Sequence, residues 1–187
     1  MIIKPILKFA HSILEEALLP GNVAVDCTMG NGHDTLLLAR LTGQAGHVYA
    51  FDIQQDALNN TQKLLSQHGI SEEQVTLICG SHADLGGFVP RGVKAAVFNL
   101  GYLPGGDKSI CTAAGSTIAA TEALLSLMED GGVIVLVVYR GHEQGAVEAE
   151  ALLAYCEKLD GVMVVEYKVL NNTNKPPFVI IIEKKPN

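Results

Sequence analysis

The stretch VAVDCTMGNGHDTLLLA, residues 23–39, decides the fold class of this protein. An apolar run ends at Asp26, two glycines follow at Gly30 and Gly32, and Asp34 begins a leucine-rich segment. This order predicts a buried strand, a tight glycine turn and then a helix. A turn of this kind often binds a ligand, which leaves four alternatives: a dinucleotide, a phosphate group, a nucleoside cofactor or no ligand.

Strands and helices alternate along the rest of the chain. We predict further strands at 47–53, 75–80, 95–100, 133–139, 163–170 and 177–185, and helices at 54–68, 112–129 and 142–159. The alternation predicts an α/β, Rossmann-like fold with a mostly parallel sheet of about seven strands and helices on both faces. The last two strands are joined by a short polar turn, so they must be antiparallel. We expect a single domain over 1–187, with an N-terminal helix in 1–20 packed on or beside it.

Composition narrows the class of protein further. The chain has 187 residues, 48% of them hydrophobic and 18% charged, which predicts a globular protein. Its four cysteines form no CxxC pair, so we predict neither a disulfide framework nor a metal site, and a reducing, cytoplasmic location. The longest apolar run is too short to span a bilayer, so we expect no membrane partner. A net charge of −7 opposes a broad nucleic-acid surface and restricts any RNA contact to a local patch.

Two phosphate-binding alternatives fit the glycine turn poorly. A P-loop requires a lysine after its last glycine, and the chain has no lysine between Lys8 and Lys63. A dinucleotide fingerprint requires a third glycine, where Thr35 stands. Asp34 at the start of the helix would also repel a pyrophosphate, although a carboxylate there is expected to cap the helix.

S-adenosylmethionine, a nucleoside with a positively charged sulfur and no phosphate, fits the turn better. Asp52 ends the second predicted strand, 20 residues beyond Gly32, where a carboxylate can accept hydrogen bonds from both ribose hydroxyls. Asp26 is expected to order the turn or to reach the methionine ammonium group. The predicted cofactor contacts are Asp26, Thr28, Gly30, Asn31, Gly32, Asp34, Asp52, Ile53, Gln54, Ser81 and His82. A turn without a ligand remains the alternative.

Four segments together resemble one known family: DCTMGNGHDT, the FDIQ stretch, CGSHADL and NLGYLPGGDK. They are similar to the bacterial family labelled rRNA methylases, which includes the tRNA 5-aminomethyl-2-thiouridine methyltransferases. The resemblance covers essentially the whole chain. It implies a class I methyltransferase fold, S-adenosylmethionine as methyl donor, and methylation of the aminomethyl group on the wobble uridine of tRNA, with the anticodon region as partner.

The fourth strand ends in Asn99, Leu100, Gly101 and Tyr102. The candidates for catalysis are Asn99, Leu100 and Tyr102. Methyltransferases that act on amino groups of nucleobases often carry (Asn/Asp)-Pro-Pro-(Tyr/Phe) at this place, and the chain matches only the outer positions. The side-chain carbonyl of Asn99 and the backbone carbonyl of Leu100 can accept N–H bonds from an attacking amine. Tyr102 offers a ring on which a base can stack. The absence of the two prolines favours an aliphatic amine as the acceptor, because such an amine does not need to be held as rigidly in a plane.

An alkylamine must lose a proton before it attacks a methyl group, because it is protonated near neutral pH. The candidate bases are His82, His142 and Tyr139. For His82 we favour a contact with the adenine end of the cofactor, together with Ser81, over a role as a base.

The substrate side of the predicted site also needs positive charge. Lys108, Arg140 and Lys175 lie on predicted loops at the expected face and are candidates for phosphate contacts. The predicted substrate contacts are therefore Tyr102, Lys108, Tyr139, Arg140, His142 and Lys175.

The sequence thus predicts an S-adenosylmethionine-dependent N-methyltransferase, with the tRNA wobble uridine as the substrate that the resemblance favours. Three alternatives remain: an rRNA N-methyltransferase, a small-molecule N-methyltransferase, and a module that binds the cofactor without catalysis. Formation of a homodimer would enlarge the protein surface that is available to RNA.

Overall fold

The computed structural model of the protein describes residues 2–101, 105, 111–141, 143–172 and 174–186. In these residues seven strands form one sheet: β1 (Val23–Asp26), β2 (His47–Asp52), β3 (Val75–Cys79), β4 (Val93–Leu100), β5 (Met128–Val138), β6 (Val162–Tyr167) and β7 (Phe178–Lys184). The helices are α1 (Ile6–Ala17), α2 (His33–Thr42), α3 (Gln55–Gln67), α4 (Ala114–Leu127) and α5 (Glu143–Cys156), with a 3₁₀-helix at His82–Gly87. None of the described helices is long and apolar enough to cross a bilayer.

The strand order across the sheet is β3-β2-β1-β4-β5-β7-β6. The strands β1 to β5 are parallel to one another, and β7 is antiparallel to both β5 and β6. The predicted seven-stranded mixed sheet with an antiparallel final pair is therefore confirmed. Chain connectivity reverses direction between β1 and β4, and ligands of open α/β sheets bind at the carboxyl ends of the strands beside such a point.

Two apolar layers, one on each face of the sheet, make up the core. One contains Phe51, Phe98, Leu136 and Ile180, and the other contains Leu14, Leu38, Val97 and Val135. The second layer includes the apolar stripe of α1, because Ile6, Ala10 and Leu14 recur at helical spacing and are buried. This packing places α1 against β4, β5 and β7. The N-terminal helix is thus part of the wall around the central strands.

The start of β5 differs from the sequence prediction. We expected a helix up to residue 129 and a strand from residue 133, whereas α4 ends at Leu127 and β5 begins at Met128. The pairing with β4 shifts in register between Val93 and Ala95, and Gly131 has a positive φ of 69° there. A shift of this kind accommodates Asp130-Gly131-Gly132 within a strand, so the glycines bend the strand instead of ending the helix.

Candidate active site

The glycine turn lies between β1 and α2, as predicted, and α3 supports it. Gly30 and Gly32 have positive φ values of 50° and 84°, which favour glycine strongly. A Cβ at Gly32 would lie 2.9 Å from the Cα and the Oγ1 of Thr61 on α3. The same hydroxyl donates to the carbonyl oxygen of Gly30 at 3.2 Å. The turn therefore needs glycine both for its backbone conformation and for its close contact with α3.

Asp26 lies fully buried beneath this turn. Its carboxylate accepts a hydrogen bond from the backbone N–H of Thr28 at 3.1 Å and one from the hydroxyl of Thr35 at 2.6 Å. Burial, with the nearby charge of Asp34 as a second cause, raises the pKa of Asp26 to about 7. These contacts are those of a residue that orders the turn. The predicted alternative, a contact with the cofactor's ammonium group, stays a prediction.

Asp52 ends β2 at the position that the sequence predicts. Its Oδ2 accepts from the backbone N–H of Gly30 at 3.1 Å, and its Oδ1 accepts from that of Gln54 at 2.9 Å. A carboxylate oxygen accepts more than one hydrogen bond, so both atoms retain capacity for a ligand. Asp52 is thereby fixed beside the turn, and its contact with two ribose hydroxyls stays a prediction.

His82 is buried at the start of the 3₁₀-helix, which Ser81 caps by accepting from the N–H of Ala83 at 3.1 Å. Its Nδ1 donates to the backbone carbonyl of Cys27 at 2.9 Å, which leaves Nε2 as the acceptor of a neutral ring. Burial lowers the pKa of His82, which favours that neutral form. Within the described residues Nε2 has no hydrogen-bond partner. A buried acceptor without a partner destabilises the protein, so a ligand that donates an N–H hydrogen bond to Nε2 would remove this cost.

Asn99 lies near the end of β4 and is held at two points. Its backbone N–H donates to the hydroxyl of Thr28 at 2.7 Å, and its side-chain Nδ2 donates to Oδ2 of Asp34. The other oxygen of Asp34 accepts from Nε2 of His11 at 2.8 Å. The expectation that Asp34 caps α2 is wrong, because Gly32 occupies the cap and α2 already begins at His33. The carboxylate instead joins α1, α2 and β4.

One cavity of about 1250 Å³ connects the glycine turn with the end of β4. Most of the predicted site residues line it, namely Thr28, Gly30, Asn31, Asp34, Asp52, Ile53, Gln54, Ser81, His82, Asn99, Leu100, Tyr139, Arg140 and Lys175. Asp26 and Gly32 belong to the turn but are not among the lining residues. The predictions for Tyr102, Lys108 and His142 lie outside the described residues. Residues predicted separately for cofactor and substrate thus share a single space.

The predicted substrate residues line the end of the cavity that β5 and the last turn provide. Burial, followed by the charge of Asp34, raises the pKa of Tyr139. The guanidinium carbon of Arg140 lies 5.3 Å from the centre of the Phe178 ring, a cation–π contact that orients the side chain. Lys175 is exposed and has a positive φ of 45°. The positively charged side chains of Arg140 and Lys175 therefore line this end of the cavity.

Sequence reasoning missed His11 as a site residue. Its position in α1 gives no motif, and the helix is recognised only by its apolar spacing. His11 reaches the cavity because α1 packs across the sheet, a tertiary contact that periodicity does not contain. A hydrogen bond to Asp34 raises the pKa of His11, which favours a positive charge at this wall of the site.

The cavity fits S-adenosylmethionine by the chemistry of its donors and acceptors. Asp52 offers carboxylate oxygens for a ribose, the turn at Gly30 permits close approach of backbone, and the buried Nε2 of His82 lacks a partner among the described residues. Acidic side chains around the cavity also suit a positively charged ligand. In the described part of the chain no group of three His, Cys, Asp or Glu residues is placed to hold a metal ion.

The sheet order and this cavity define a Rossmann-like methyltransferase that uses S-adenosylmethionine. The family model "Putative rRNA methylase" matches residues 48–183, and the chain belongs to this family. A structure from Clostridium thermocellum, described as a "putative rRNA-methylase", is 38% identical, with a TM-score of 0.96 over 98% of this chain and 100% of the other.

Two further relatives concern the cofactor and the substrate. A "putative methyltransferase" from Streptococcus mutans, solved in complex with SAH, is 36% identical, with a TM-score of 0.89 over 98% of this chain and 99% of the other. The chloroplastic tRNA (mnm(5)s(2)U34)-methyltransferase of Arabidopsis thaliana is 36% identical over 193 residues, which cover 97% of this chain and 70% of the relative. Each of these proteins is similar to this chain over nearly the whole length of this chain.

Proposed function

We propose that the protein methylates the amino nitrogen of a 5-aminomethyl group on the wobble uridine of tRNA. The observation that carries this proposal is the single cavity in which Asp52 and Asn99 both lie. A methyl donor held at Asp52 and an amine held at Asn99 would share one space. The name of the Arabidopsis relative supports tRNA as the substrate of this site.

The residues around Asn99 suit an amine as the methyl acceptor. When bound, S-adenosylmethionine supplies an activated methyl group to this site. The side-chain oxygen of Asn99 and the backbone carbonyl of Leu100 accept hydrogen bonds from the N–H groups of the amine and thereby orient its lone pair. The apolar part of the cavity lowers the pKa of an alkylammonium, because it disfavours the charged form, and so helps the amine to lose its proton. Tyr139 and His82 line the same space and stay candidate proton acceptors.

The basic residues of the cavity support a nucleic-acid substrate. Arg140 and Lys175 line the cavity, and we propose that they contact phosphates beside the target nucleotide. We include Lys108, His142 and Tyr102 in the proposed substrate contacts on the basis of the sequence. Binding to the anticodon region, a homodimer and a cytoplasmic location are parts of the same proposal.

Nucleoside mass spectrometry tests the substrate directly. Purified protein is incubated with labelled S-adenosylmethionine and with tRNA or rRNA from cells that lack the enzyme. We expect label in a 5-methylaminomethyl uridine of tRNA. Label in an rRNA nucleoside would overturn the tRNA assignment, and transfer to neither RNA would favour a small-molecule acceptor.

The variant Asn99→Ala separates catalysis from cofactor binding. We expect its turnover to fall by about 100-fold, the order of magnitude for losing an orienting contact. The dissociation constant for S-adenosylhomocysteine, measured by calorimetry, should stay within about twofold, because Asn99 is not proposed to hold the cofactor. Asp56→Ala on α3, which removes an exposed acid outside the cavity, serves as the control. Unchanged turnover in Asn99→Ala would contradict the catalytic role of Asn99.

A further inference from the structure

The side-chain amide of Asn99 is fixed by a carboxylate. Asp34 accepts a hydrogen bond from this amide, and a carboxylate has no hydrogen to donate. The atom of Asn99 that faces Asp34 must therefore be Nδ2. Rotation of the amide by half a turn would instead bring Oδ1 against the carboxylate, which is repulsive. The contact thus reserves Oδ1 for a ligand in the cavity that Asn99 lines.

The carboxylate of Asp34 is in turn held from α1. Nε2 of His11 donates to Oδ1 of Asp34 at 2.8 Å, while Oδ2 receives Asn99. The side chain of Asp34 is mostly buried, with 12% exposed, whereas that of His11 is 36% exposed. Docking of α1 through its buried stripe sets the position of His11. A chain of contacts therefore runs from α1 through Asp34 to the end of β4.

Other titratable groups also face this pair. Glu15 on α1 favours the charged form of His11, and the charge of Asp34 acts on Asp26 below the turn and on Tyr139 at the end of β5. Burial, together with this charge, raises the pKa of both Asp26 and Tyr139. A positive His11 offsets the negative charge that Asp34 would otherwise add to this group.

We propose that Asp34, held by His11, is a positioning residue for methyl transfer, which it serves by fixing the amide of Asn99 with Oδ1 available to the acceptor. This inference rests on the proposed function. An Oδ1 held in this way accepts hydrogen bonds, so the site selects an acceptor nitrogen that carries hydrogens, such as a primary amine. A hydrogen-free acceptor, such as a pyridine-type ring nitrogen, would meet an oxygen to which it cannot bond.

A double-mutant cycle tests whether Asp34 acts through Asn99. Asp34→Ala alone should lower kcat about 10- to 100-fold, because it releases the orientation of the amide. In the Asn99→Ala background the same substitution should change kcat by no more than about twofold, since no amide remains to be oriented. Independent, multiplicative losses in the double variant would overturn the inference.

Two readouts do not depend on turnover. The dissociation constant for S-adenosylhomocysteine should stay within about twofold in Asp34→Ala, whereas a large rise would make Asp34 a cofactor ligand and overturn the inference. The pKa of the His11 ring, followed by NMR, should fall in Asp34→Ala because its hydrogen-bonded partner is gone. An unchanged His11 titration would show that the pair does not form.

The matched control is Asp56→Ala, which removes an acid from the first turn of α3 outside the cavity and should change neither quantity. Thermal melting of each variant identifies one that fails to fold, and His11→Gln then serves as the milder substitution. This variant can still donate to Asp34 and should retain most of the kcat. If the wild type methylates a different acceptor, the proposed function fails, and the same cycle on that acceptor still decides the role of Asp34.

Discussion

The ionisation of Asp26 makes the stability of the native state depend on pH. Its pKa rises to about 7 in the native protein, from an ordinary value of 3.8, chiefly because the carboxyl group is buried. Between these two values the native state holds a proton that the unfolded state has released. Stability therefore falls as pH rises through this window.

We expect Asp26→Asn, which mimics the protonated acid, to flatten this dependence. Measured by thermal melting without ligand between pH 4 and pH 6, the variant should lose less stability with rising pH than the wild type. His11 adds little there, because its raised pKa removes stability only as pH rises above its ordinary value of 6.5. Asp56→Asn, an exposed acid, should keep the wild-type slope. An equally steep slope in Asp26→Asn would contradict this assignment.

Single residues were predictable where a strand end or a backbone conformation determines them. Asp52 follows from the end of β2, and Gly32 from a turn that requires a positive φ. The contact of His11 with Asp34 was not predictable, because 23 residues separate them and only the packing of α1 brings them together. The sequence indicated the cofactor half of the cavity better than the groups that orient Asn99.

Among the elements, α1 connects stability with the candidate site. Its apolar spacing predicted a helix, and the structure buries Leu14 completely in the layer that also contains Val97 and Val135. The same helix carries His11 one turn earlier. Loss of its packing should therefore affect both the free energy of unfolding and the position of Asp34.

Leu14→Ala should lower the free energy of unfolding by about 3 kcal/mol, the usual cost of truncating a fully buried leucine. Urea denaturation measures this value. Leu19→Ala is the control, because that side chain is 66% exposed and its loss should cost about 0.5 kcal/mol or less. Equal effects of the two substitutions would show that α1 does not pack as described.

The order of the last strands was only partly predictable. The short turn before β7 required an antiparallel pair, but it did not determine which member lies beside β5. In the structure β7 takes the inner position, with Val179 and Ile180 buried, while Met163 and Val165 of β6 are exposed. The choice depends on burial across the whole sheet, which local pattern does not specify.

At the scale of the whole molecule, negative charge limits how an RNA can bind. The net charge is −7, and Arg140 and Lys175 are the basic side chains that line the described cavity, with Lys108 proposed beside them. Few phosphate contacts release few counterions. Affinity for an anticodon stem-loop should therefore depend weakly on salt.

Fluorescence anisotropy between about 50 and 200 mM salt measures this dependence. Three phosphate contacts predict a slope of log K against log salt of about −2 to −3. Arg140→Gln should make the slope shallower by about one unit or less. Lys63→Gln, at an exposed position of α3 that does not line the cavity, should leave it unchanged. A slope steeper than about −5 would contradict a total of three phosphate contacts and indicate that a second subunit adds contacts of its own.

The inner position of β7 has a consequence for biosynthesis. The strand that completes the sheet beside β5 is synthesised only after α5 and β6, which lie between β5 and β7 in the chain. Until it emerges, β5 has an open edge, and apolar residues such as Ile134 and Leu136 lack their final neighbours. The nascent chain therefore cannot complete this sheet before β7 emerges, and a product terminated before β7 presents an unpaired strand edge that quality-control proteases can recognise.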